Sequence, residues 1–599
     1  MNRHFLKLAF CIACNFAMLG LNSNAQTNIP GGNVSGTWTL AGSPYLIQAS
    51  IMIPNDSTLT IEPGVTVNFQ GTYKLLVFGQ LLAIGTITNN ITFTAADTTN
   101  GWKGIRFDGT LATNDTSKII YCKLTYGNAT GVYPDGYGGG FFFSNFSNAI
   151  ISYCNISHCK SVSGGGIYLD KSSPIISYDT ISNNYTLGLY SNSGGGGIYC
   201  NQSNPTISHN IISNNITQWG GNFNGGGGIY CSASSPQISY NIISNNFSYA
   251  SGIFDGGGGI FCMQSYPDIT YNIISNNTVY GGGSNNGGGG IIATYGSIPT
   301  ITNNTISDNT AYSGGGILLI NNYPTSIITF FNNIITNNSS NIGGGICDAS
   351  GMPTLINNTI ANNSSDNGGA LFCSGGSNPT FYNSILWGNT ATTSGSQVYF
   401  DDQSSANATN FYYSDVMGGT TAFGLNFNIY LGTYQNNINS APVFVAPSAG
   451  SGTGYDGVNA DWSLQNTSPC INAGDPGGTY PATDIAGNPR VYGGTIDIGA
   501  YEYQGPVSVT SFSFQTEFVV YPNPTKGKFI IQMINDKSIE GNSGSDSHRI
   551  EIYNVLGEII YSENFYNKQI IYNIDISSTP NGIYYIKIYN KEKIIILNH

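Results

Sequence analysis

Charged side chains are scarce in this sequence. Its 599 residues include only 18 Lys and Arg residues and 31 Asp and Glu residues, which gives a net charge of −13. Between Leu124 and Pro489 the only Lys or Arg side chains are Lys160 and Lys171. This scarcity argues against a nucleic-acid partner, because neutralising phosphates requires clustered Lys and Arg. Solubility has to come from Asn, Ser, Thr and Tyr.

Long apolar runs are lacking beyond the N-terminus. No later segment reaches the length of about 18 apolar residues that a membrane-spanning helix needs, so no transmembrane span is predicted. The first residues are basic, and a short apolar stretch ending in small residues follows. This order is typical of a secretory signal peptide, predicted over residues 1–25 with cleavage between Ala25 and Gln26. A lipoprotein signal ending at Cys11 or Cys14 fits less well, because its apolar region would be very short.

A disulfide framework is not evident either. Removal of the signal leaves nine of the 11 cysteines, and an odd number in a long chain does not suggest paired bridges. Cys200, Cys231 and Cys262 alternate with Tyr or Phe, so we expect them to point inward as small core residues. Side chains stacked in parallel are badly aimed for bridging. Two other bridges stay open, Cys154–Cys159 and Cys122–Cys154.

No stretch has the period of a helix, but the chain repeats itself. Between Ile167 and Ile291 a block of glycines followed by Ile and an aromatic residue recurs every 31 residues. The phrase Asn-Ile-Ile-Ser-Asn-Asn starts at Asn210, Asn241 and Asn272. A fixed period of this length is typical of a solenoid, in which each repeat buries its apolar face only against its neighbours.

The repeat predicts an all-β fold, a parallel β-helix with three strands per coil. Apolar residues alternate in short bursts that Gly, Asn-Asn and Ser-Pro separate, as in short strands joined by tight turns. Coils stacked at about 4.8 Å place equivalent residues above one another. We therefore expect an inner isoleucine column and an amide column that hydrogen-bonds along the stack. Their members are Ile198, Ile229, Ile260 and Ile291, and Asn210, Asn241 and Asn272.

The coils differ in length at one corner. From the isoleucine of the Asn phrase to the residue after the next glycines, four coils take 11 residues, but four consecutive coils take 17. These four begin at Ile181, Ile212, Ile243 and Ile274. The shared extension predicts a row of loops on one side of the solenoid, called the loop ridge below.

Two regions flank the regular coils of residues 141–400. Residues 26–140 contain Ile61-Glu62-Pro63-Gly64-Val65 and Trp102-Lys103-Gly104-Ile105, which resemble the opening of exported bacterial right-handed β-helix proteins. The glycine and Ile-Ser-Asn-Asn phrases are similar to repeats of chlamydial polymorphic outer-membrane proteins, although Ile stands where those have Phe. Residues 401–503 resemble the C-terminal cap of the same exported proteins. These likenesses imply a right-handed β-helix with an N-terminal cap, last coils and a C-terminal cap.

The C-terminal part reads as a separate β-sandwich after a linker at 504–516. Three motifs occur in order, beginning at Tyr521, Ile550 and Asn581. Residues 517–599 thereby resemble the type A sorting domain of the type IX secretion system. The resemblance implies contact with that secretion machinery, removal of the domain, and a product that is secreted or attached to the outer cell surface. An Ig-like binding module is the alternative.

Catalytic groups do not assemble in the repeats. Glycoside hydrolysis needs two carboxylates about 5–9.5 Å apart. No two acids of residues 141–400 occupy the same place in neighbouring coils, and neither do His158 and His209. Asp401 and Asp402 could bind a cation such as Ca²⁺, but no residue nearby completes a site. The sequence therefore predicts no catalytic residue, no metal site and no cofactor, with a polysaccharide-active lyase or hydrolase as the alternative.

The loop ridge is instead rich in aromatic residues. Stacked loops would place rings about 5 Å apart per coil, and such surfaces suit sugar rings or an apolar partner. The alternative is that the loops pack on each other or on the solenoid. We predict a non-catalytic protein that acts in adhesion or in binding a glycan or cell-surface partner, with a passive surface spacer as a further alternative. The predicted binding residues are Tyr190, Trp219, Phe223, Phe247, Tyr249, Phe254 and Tyr280.

Overall fold

A computed structural model describes the architecture. It describes residues 26–505 apart from 219, 284, 321–327, 402–407 and 428. In the C-terminal region it describes residues 517–521, 525–534, 548–554, 558–565, 571–580, 582–588 and 591–597. The chain divides into two compact units, with the boundary between Gly505 and Pro506.

The first unit is a right-handed parallel β-helix, as the sequence predicts. The chain passes in turn through three parallel sheets of 15 strands each, here named A, B and C. Sheet A consists of Thr27–Ile29, Tyr45–Ile47, Thr66–Phe69, Ile91–Ala95, Cys122–Thr125, Asn155–Ser157, Thr180–Ser182, Ile211–Ser213, Ile242–Ser244, Ile273–Ser275, Thr305–Ser307, Ile334–Thr336, Thr359–Ala361, Ile385–Trp387 and Asp415–Val416. Sheet B consists of Gly32–Asn33, Ile51–Ile53, Leu75–Val77, Ile105–Asp108, Phe141–Ser144, Ile167–Asp170, Ile198–Asn201, Ile229–Ser232, Ile260–Met263, Ile291–Thr294, Ile317–Ile320, Ile346–Ala349, Leu371–Ser374, Val398–Phe400 and Gly424–Leu425. Sheet C consists of Gly36–Trp38, Thr58–Ile61, Gln80–Ile84, Ser117–Ile120, Ala149–Ser152, Ile175–Ser177, Thr206–Ser208, Gln237–Ser239, Asp268–Thr270, Thr300–Thr302, Thr329–Phe331, Thr354–Ile356, Thr380–Tyr382, Asn410–Tyr412 and Tyr434–Gln435.

Smaller elements complete the first unit. Sheet D is parallel and lies on the corner between sheets A and B; its strands are Asn128–Ala129, Lys160–Ser161, Tyr185–Thr186, Ile216–Thr217, Phe247–Tyr249 and Thr278–Tyr280. Two further strand pairs are Ser364–Asn367 with Thr390–Ser394 and Phe444–Ala446 with Asp461–Leu464. The described residues contain no α-helix, only two 3₁₀ turns at Leu40–Gly42 and Gly419–Ala422.

The predicted register is confirmed. Ile198 pairs with Ile229, Ile229 with Ile260, and Ile260 with Ile291, and all four are fully buried. Cys200, Cys231 and Cys262 stack inward beside them as buried free thiols. The remaining six described cysteines are also buried and form no disulfide. The alternating pattern thus builds one continuous apolar core along the stack.

The predicted amide column is confirmed as well. Asn210 donates from Nδ2 to Oδ1 of Asn241 over 3.0 Å, and Asn241 donates in the same way to Asn272. Each backbone N–H also reaches the next side-chain oxygen, at 2.9 Å. A second column runs parallel to the first on the other side of sheet A, from Asn184 to Asn389. Satisfying these buried polar groups by identical neighbours fixes the register of every coil.

The glycine blocks are required by close backbone approach. A Cβ on Gly228 would lie 2.7 Å from the carbonyl oxygen of Gly259 in the next coil. Gly226 adopts φ = +60°, a conformation that side chains disfavour. Glycine is therefore favoured at both positions of this corner, although Ala370 takes the place of Gly228 in a later coil.

The outer face of sheet A is covered over part of its length. Residues 444–505, here the covering segment, return along the coils from Ile334 to Ile385 and bury apolar side chains against that face. Trp462 is only 2% exposed and meets Phe444 edge-on at 5.2 Å between ring centroids. Turn asparagines hold the segment, since Asn357 donates to the carbonyl oxygen of Asp497 over 3.1 Å. Similar bonds to covering-segment atoms involve Asn332, Asn337, Asn362 and Asn383.

The predicted last coils and cap therefore divide into two parts. Strand pairing continues to Gln435, where Phe423, Tyr430 and Tyr434 pack against the end of the core. The segment after Phe444 lies along the flank of sheet A.

The second unit contains two antiparallel sheets. One consists of Glu517–Tyr521, Lys528–Ile534 and Ile571–Asp575, and the other of Ile559–Phe565, His548–Tyr553, Gly582–Ile588 and Lys591–Leu597. Alternating residues such as Phe529, Ile531, Ile550 and Ile586 form its core.

Candidate functional site

The loop ridge is built on sheet D. Its strands alternate, so that Phe247 and Tyr249 point outward while Ser248 between them is buried. The outward column continues through Ile216 and Tyr185, which are half-buried. Lys160 lies 5.6 Å from the centre of the Tyr185 ring and supplies the cation of this surface. Burial and the neighbouring Tyr249 both raise the pKa of Tyr185.

The extensions after sheet D are closed by their own buried column. Ser193 donates from its backbone N–H to Asn224, Asn224 to Asp255, and Asp255 to Asn286, over 2.8–3.0 Å. Asp255 also accepts the backbone N–H of Ser251 over 3.0 Å. Burial raises the pKa of Asp255 in spite of these bonds. This carboxyl therefore shapes the loop rather than facing a ligand.

Two of the predicted ridge residues fold back over sheet B. Phe223 and Phe254 adopt φ of 61° and 58°, and their rings stack with centroids 5.4 Å apart. Both meet Tyr295 edge-on, Phe223 at 4.9 Å. The Tyr230 hydroxyl donates to the carbonyl oxygen of Phe223 over 2.9 Å. The expected single aromatic surface is thus divided, because these two rings pack on the outer aromatic residues of sheet B.

The other ridge residues face solvent to a larger degree. Tyr280 is 60% exposed and Tyr190 50% exposed, whereas Phe247 and Tyr249 are half-buried. Tyr249 lies 5.7 Å from Phe247 and meets Tyr280 edge-on at 5.8 Å. A groove of about 300 Å³ adjoins them and is lined by Ala250, Ser251, Gly252, Ile253, Gly282, Gly283, Asn285 and Asn286.

Two predicted positions cannot be placed. Trp219 and the cleavage-site residue Ala25 lie outside the described residues, and Gln26 is the first described residue and is exposed. The roles of all the predicted ridge and cleavage residues stay predictions.

The carboxyl groups of the regular coils, apart from that of the exposed Asp268, are engaged in structural contacts. Asp170 accepts hydrogen bonds from the Tyr133 hydroxyl over 2.8 Å and from Asn201. Asp348 is buried and accepts the Gly351 N–H, and burial raises its pKa to about 7. Asp401, of the predicted acidic pair, accepts a bond from Asn426 over 3.2 Å; Asp402 lies outside the described part. Among the described residues, no group of three or more His, Cys, Asp and Glu side chains is placed to hold a metal ion.

The acids of the covering segment form a buried structural network. Asp497 accepts backbone N–H groups from Asn472 and Tyr503, and Glu502 accepts those of Tyr492 and Asp497 over 3.0 Å. Burial raises the pKa of Glu502 to about 7. Arg490 donates to backbone carbonyl oxygens, and burial lowers its pKa to about 10. These buried groups hold the segment together through hydrogen bonds to its backbone.

A second aromatic surface was not predicted from the sequence. Six rings stack on one another at the tight turn between sheets C and A, with centroids 4.6–5.0 Å apart and interplanar angles of 3–17°. This ring column consists of Tyr121, Tyr153, Tyr178, His209, Tyr240 and Tyr271. His209 is a full member, whereas His158 lies 5.5 Å from Tyr126 on another turn. The sequence position of these rings could have revealed the column, since each ring from Tyr178 onward directly precedes a member of the amide column.

Comparisons with known proteins agree with this architecture. The family model of right-handed β-helix regions matches residues 21–195 and 282–360, and that of secretion-system C-terminal sorting domains matches residues 519–597. A stretch of 84 residues, 14% of this chain, is 36% identical to Protein bark beetle of Drosophila melanogaster, of which it covers only 3%. The crystal structure of pectate lyase Pel9A aligns at 14% identity with a TM-score of 0.32, over 75% of this chain and 88% of that one. Within the described residues, no helix is long and apolar enough to cross a membrane.

Proposed function

We propose that this protein acts in adhesion. It is a right-handed β-helix protein that carries a type IX secretion sorting domain, and it is secreted or attached to the outer cell surface. Its β-helix acts without catalysis, in adhesion, by binding a glycan or a cell-surface partner. The loop ridge is the proposed contact surface. The sorting domain, residues 517–599, is the proposed contact with the secretion machinery.

The observation that carries this proposal is the solvent-facing aromatic group on the ridge. Tyr249 and Tyr280 lie beside a groove whose lining is made of small, uncharged residues and amides. Aromatic rings next to amide donors and acceptors suit sugar rings, which present both C–H faces and hydroxyls. Tyr249 and Tyr280 are equivalent residues of adjacent coils, so that an extended ligand would meet a tyrosine in each of these two coils.

The state of the acidic residues supports a non-catalytic role. Hydrolysis requires a carboxyl pair that faces the substrate, with one member protonated. Asp255 and Asp348 have raised pKa values, but both are buried and bond to backbone N–H groups. These two carboxyl groups thus lie where a substrate does not reach them.

A glycan array tests the proposal. The full-length protein is compared with a Tyr249→Ala, Tyr280→Ala double variant and with Tyr266→Ala, a matched control at a tyrosine that is 56% exposed on another turn. We expect the double variant to bind about tenfold more weakly and the control to bind as the parent does. Failure of the parent to bind any glycan or cell surface, or equal binding by all three proteins, contradicts the ridge proposal. Release of products from a polysaccharide supports the enzyme alternative instead.

A further inference from the structure

The ring column borders a second, uncovered surface. Along the coils from Thr180 to Ile273, the outer face of sheet A carries an isoleucine column, and Ile211 is 44% exposed. This stretch is called the open face. The ring column flanks it on one side and a row of exposed turn asparagines on the other. The isoleucines are Ile211, Ile242 and Ile273, and the asparagines are Asn183, Asn214, Asn245 and Asn276.

The open face continues directly into the face that the covering segment occupies. In the coils from Ile334 to Ile385 the same isoleucine column is buried under that segment. There the turn position of the ring column is held by asparagines, and Asn332, Asn357 and Asn383 hydrogen-bond the segment. The amides recognise polypeptide backbone. Tyrosine and histidine replace these asparagines along the open face, so the hydrogen bonds that they form to a peptide on this side are absent there.

The backbone at the ring column indicates that the rings are retained for a purpose. Tyr153, Tyr178 and Tyr240 adopt φ of 56–59°, a left-handed conformation that asparagine tolerates much better than tyrosine. The chain uses asparagine at the equivalent turns, as at Asn303 and Asn357. Stacking between rings offsets part of the strain. Yet Tyr240 remains 52% exposed, so the rings do not serve the core.

The chemistry of the open face points to a neutral ligand. No Lys, Arg or Glu side chain belongs to the ring column, the isoleucine column or the asparagine row. The floor is apolar, and both borders offer hydroxyls, ring edges and amides once per coil. Such a surface matches an extended sugar chain, whose flat apolar faces alternate with hydroxyls along its edges.

We infer that the open face of sheet A is a second binding site, which takes an extended, uncharged polysaccharide lying along the stack of coils. The C–H faces of the sugar rings rest on Ile211, Ile242 and Ile273. Its hydroxyls bond the edge of the ring column on one side and the asparagine amides on the other. This inference rests on the proposed function, since it names the ligand class and adds a site for it.

The test replaces rings by the residue that the protein itself uses at the same turn. In the full-length protein the triple variant Tyr178→Asn, His209→Asn, Tyr240→Asn relieves backbone strain, so folding is retained, which circular dichroism and thermal unfolding verify. Binding is measured by affinity electrophoresis in soluble glucomannan and xyloglucan and by pull-down on cellulose and chitin. Polygalacturonate is the charged comparator, and the Tyr249→Ala, Tyr280→Ala variant is the comparison on the loop ridge.

We expect the parent to bind at least one neutral polysaccharide and the triple variant to bind it at least about tenfold more weakly. Undiminished binding by the triple variant, with loss only in the ridge variant, overturns the second site and leaves the proposed function intact. Preference for polygalacturonate overturns the neutral ligand. Absence of glycan binding by the parent removes the glycan form of the proposed function and this inference with it.

Discussion

The outer face of sheet A is covered in one part of the molecule and exposed in another. Over the coils from Ile334 to Ile385 it is buried by the covering segment, whereas from Thr180 to Ile273 it is open. Both stretches share the inner isoleucine core and the inner polar columns. One of their differences is a turn position, which is asparagine in the covered coils and tyrosine or histidine in the open ones. The open coils also carry the extensions of the loop ridge.

The comparison separates what builds the solenoid from what decorates it. Inner columns fix the register wherever they occur, so the outer turn position is free to vary. An asparagine there forms hydrogen bonds to a returning polypeptide, and a tyrosine there stacks on its neighbours instead. We infer that the identity of this residue in each coil helps to select between a protein-covered and a ligand-accessible surface.

Removal of the main anchor of the covering segment should have the largest effect. Trp462→Ala deletes a side chain that is 2% exposed, and loss of a buried Trp costs about 3–5 kcal/mol. We expect faster hydrogen–deuterium exchange in Asp461–Leu464 with little change around Ile242. Tyr455→Ala, at a tyrosine of the same segment that is 46% exposed, should change exchange little. Uniformly faster exchange along the whole solenoid would contradict the expectation that the covering segment loosens without loosening the coils.

In the open coils, one member of the amide column is not an asparagine. Asp179 takes an asparagine position, and its Oδ2 atom is buried without a hydrogen-bond partner. Burial raises the pKa of Asp179 well above its usual range. Asp179→Asn supplies the missing donor and should raise the free energy of unfolding by about 1–3 kcal/mol at neutral pH. Denaturation with guanidinium measures the difference.

The pH dependence of that difference follows from the direction of the shift. The unfolded chain loses the Asp179 proton near pH 3.9, while the folded protein retains it to a higher pH. The parent therefore loses stability relative to the variant as pH rises from about 4 toward the folded pKa. Asn210→Asp should impose the same penalty in the next coil. A stability difference that does not change with pH would contradict a protonated Asp179.

The smallest effect is expected from the cysteines, because those of the covered coils and those of the open coils are all buried. All nine described cysteines are buried thiols outside any disulfide, and burial raises the pKa of Cys159 to about 12. In the protein without residues 1–25, we expect no thiol to react with a disulfide reagent in the native state and nine to react after denaturation. Rapid labelling of any one, or fewer than nine in total, would indicate an accessible thiol or a disulfide.

The sequence predicts the solenoid because its code is periodic. A spacing of 31 residues places Ile198 on Ile229 and Asn210 on Asn241, whatever the outer surface does. The extended corner was predicted for the same reason. What the period does not reveal is how a loop turns after it leaves the coil, and so Phe223 and Phe254 were expected beside Tyr249.

The covering segment and the ring column needed the structure. Contacts such as that between Asn357 and Asp497 join residues 140 positions apart and leave no repeat in the sequence. The ring column was missed because backbone preferences predict glycine or asparagine at a left-handed turn. Tyr153, Tyr178 and Tyr240 break that preference, and a local rule broken in successive coils identifies a candidate functional surface.

An exchange of residues between the two stretches tests the central claim most directly. The measurement is the rate at which a protease cuts residues 444–505 in Asn357→Tyr and in Tyr240→Asn. Cleavage reports the fraction of open segment, and losing two buried hydrogen bonds should raise that rate at least about tenfold in Asn357→Tyr, with no change in Tyr240→Asn. Equal rates in both variants and the parent would show that the turn residue does not decide which face is covered.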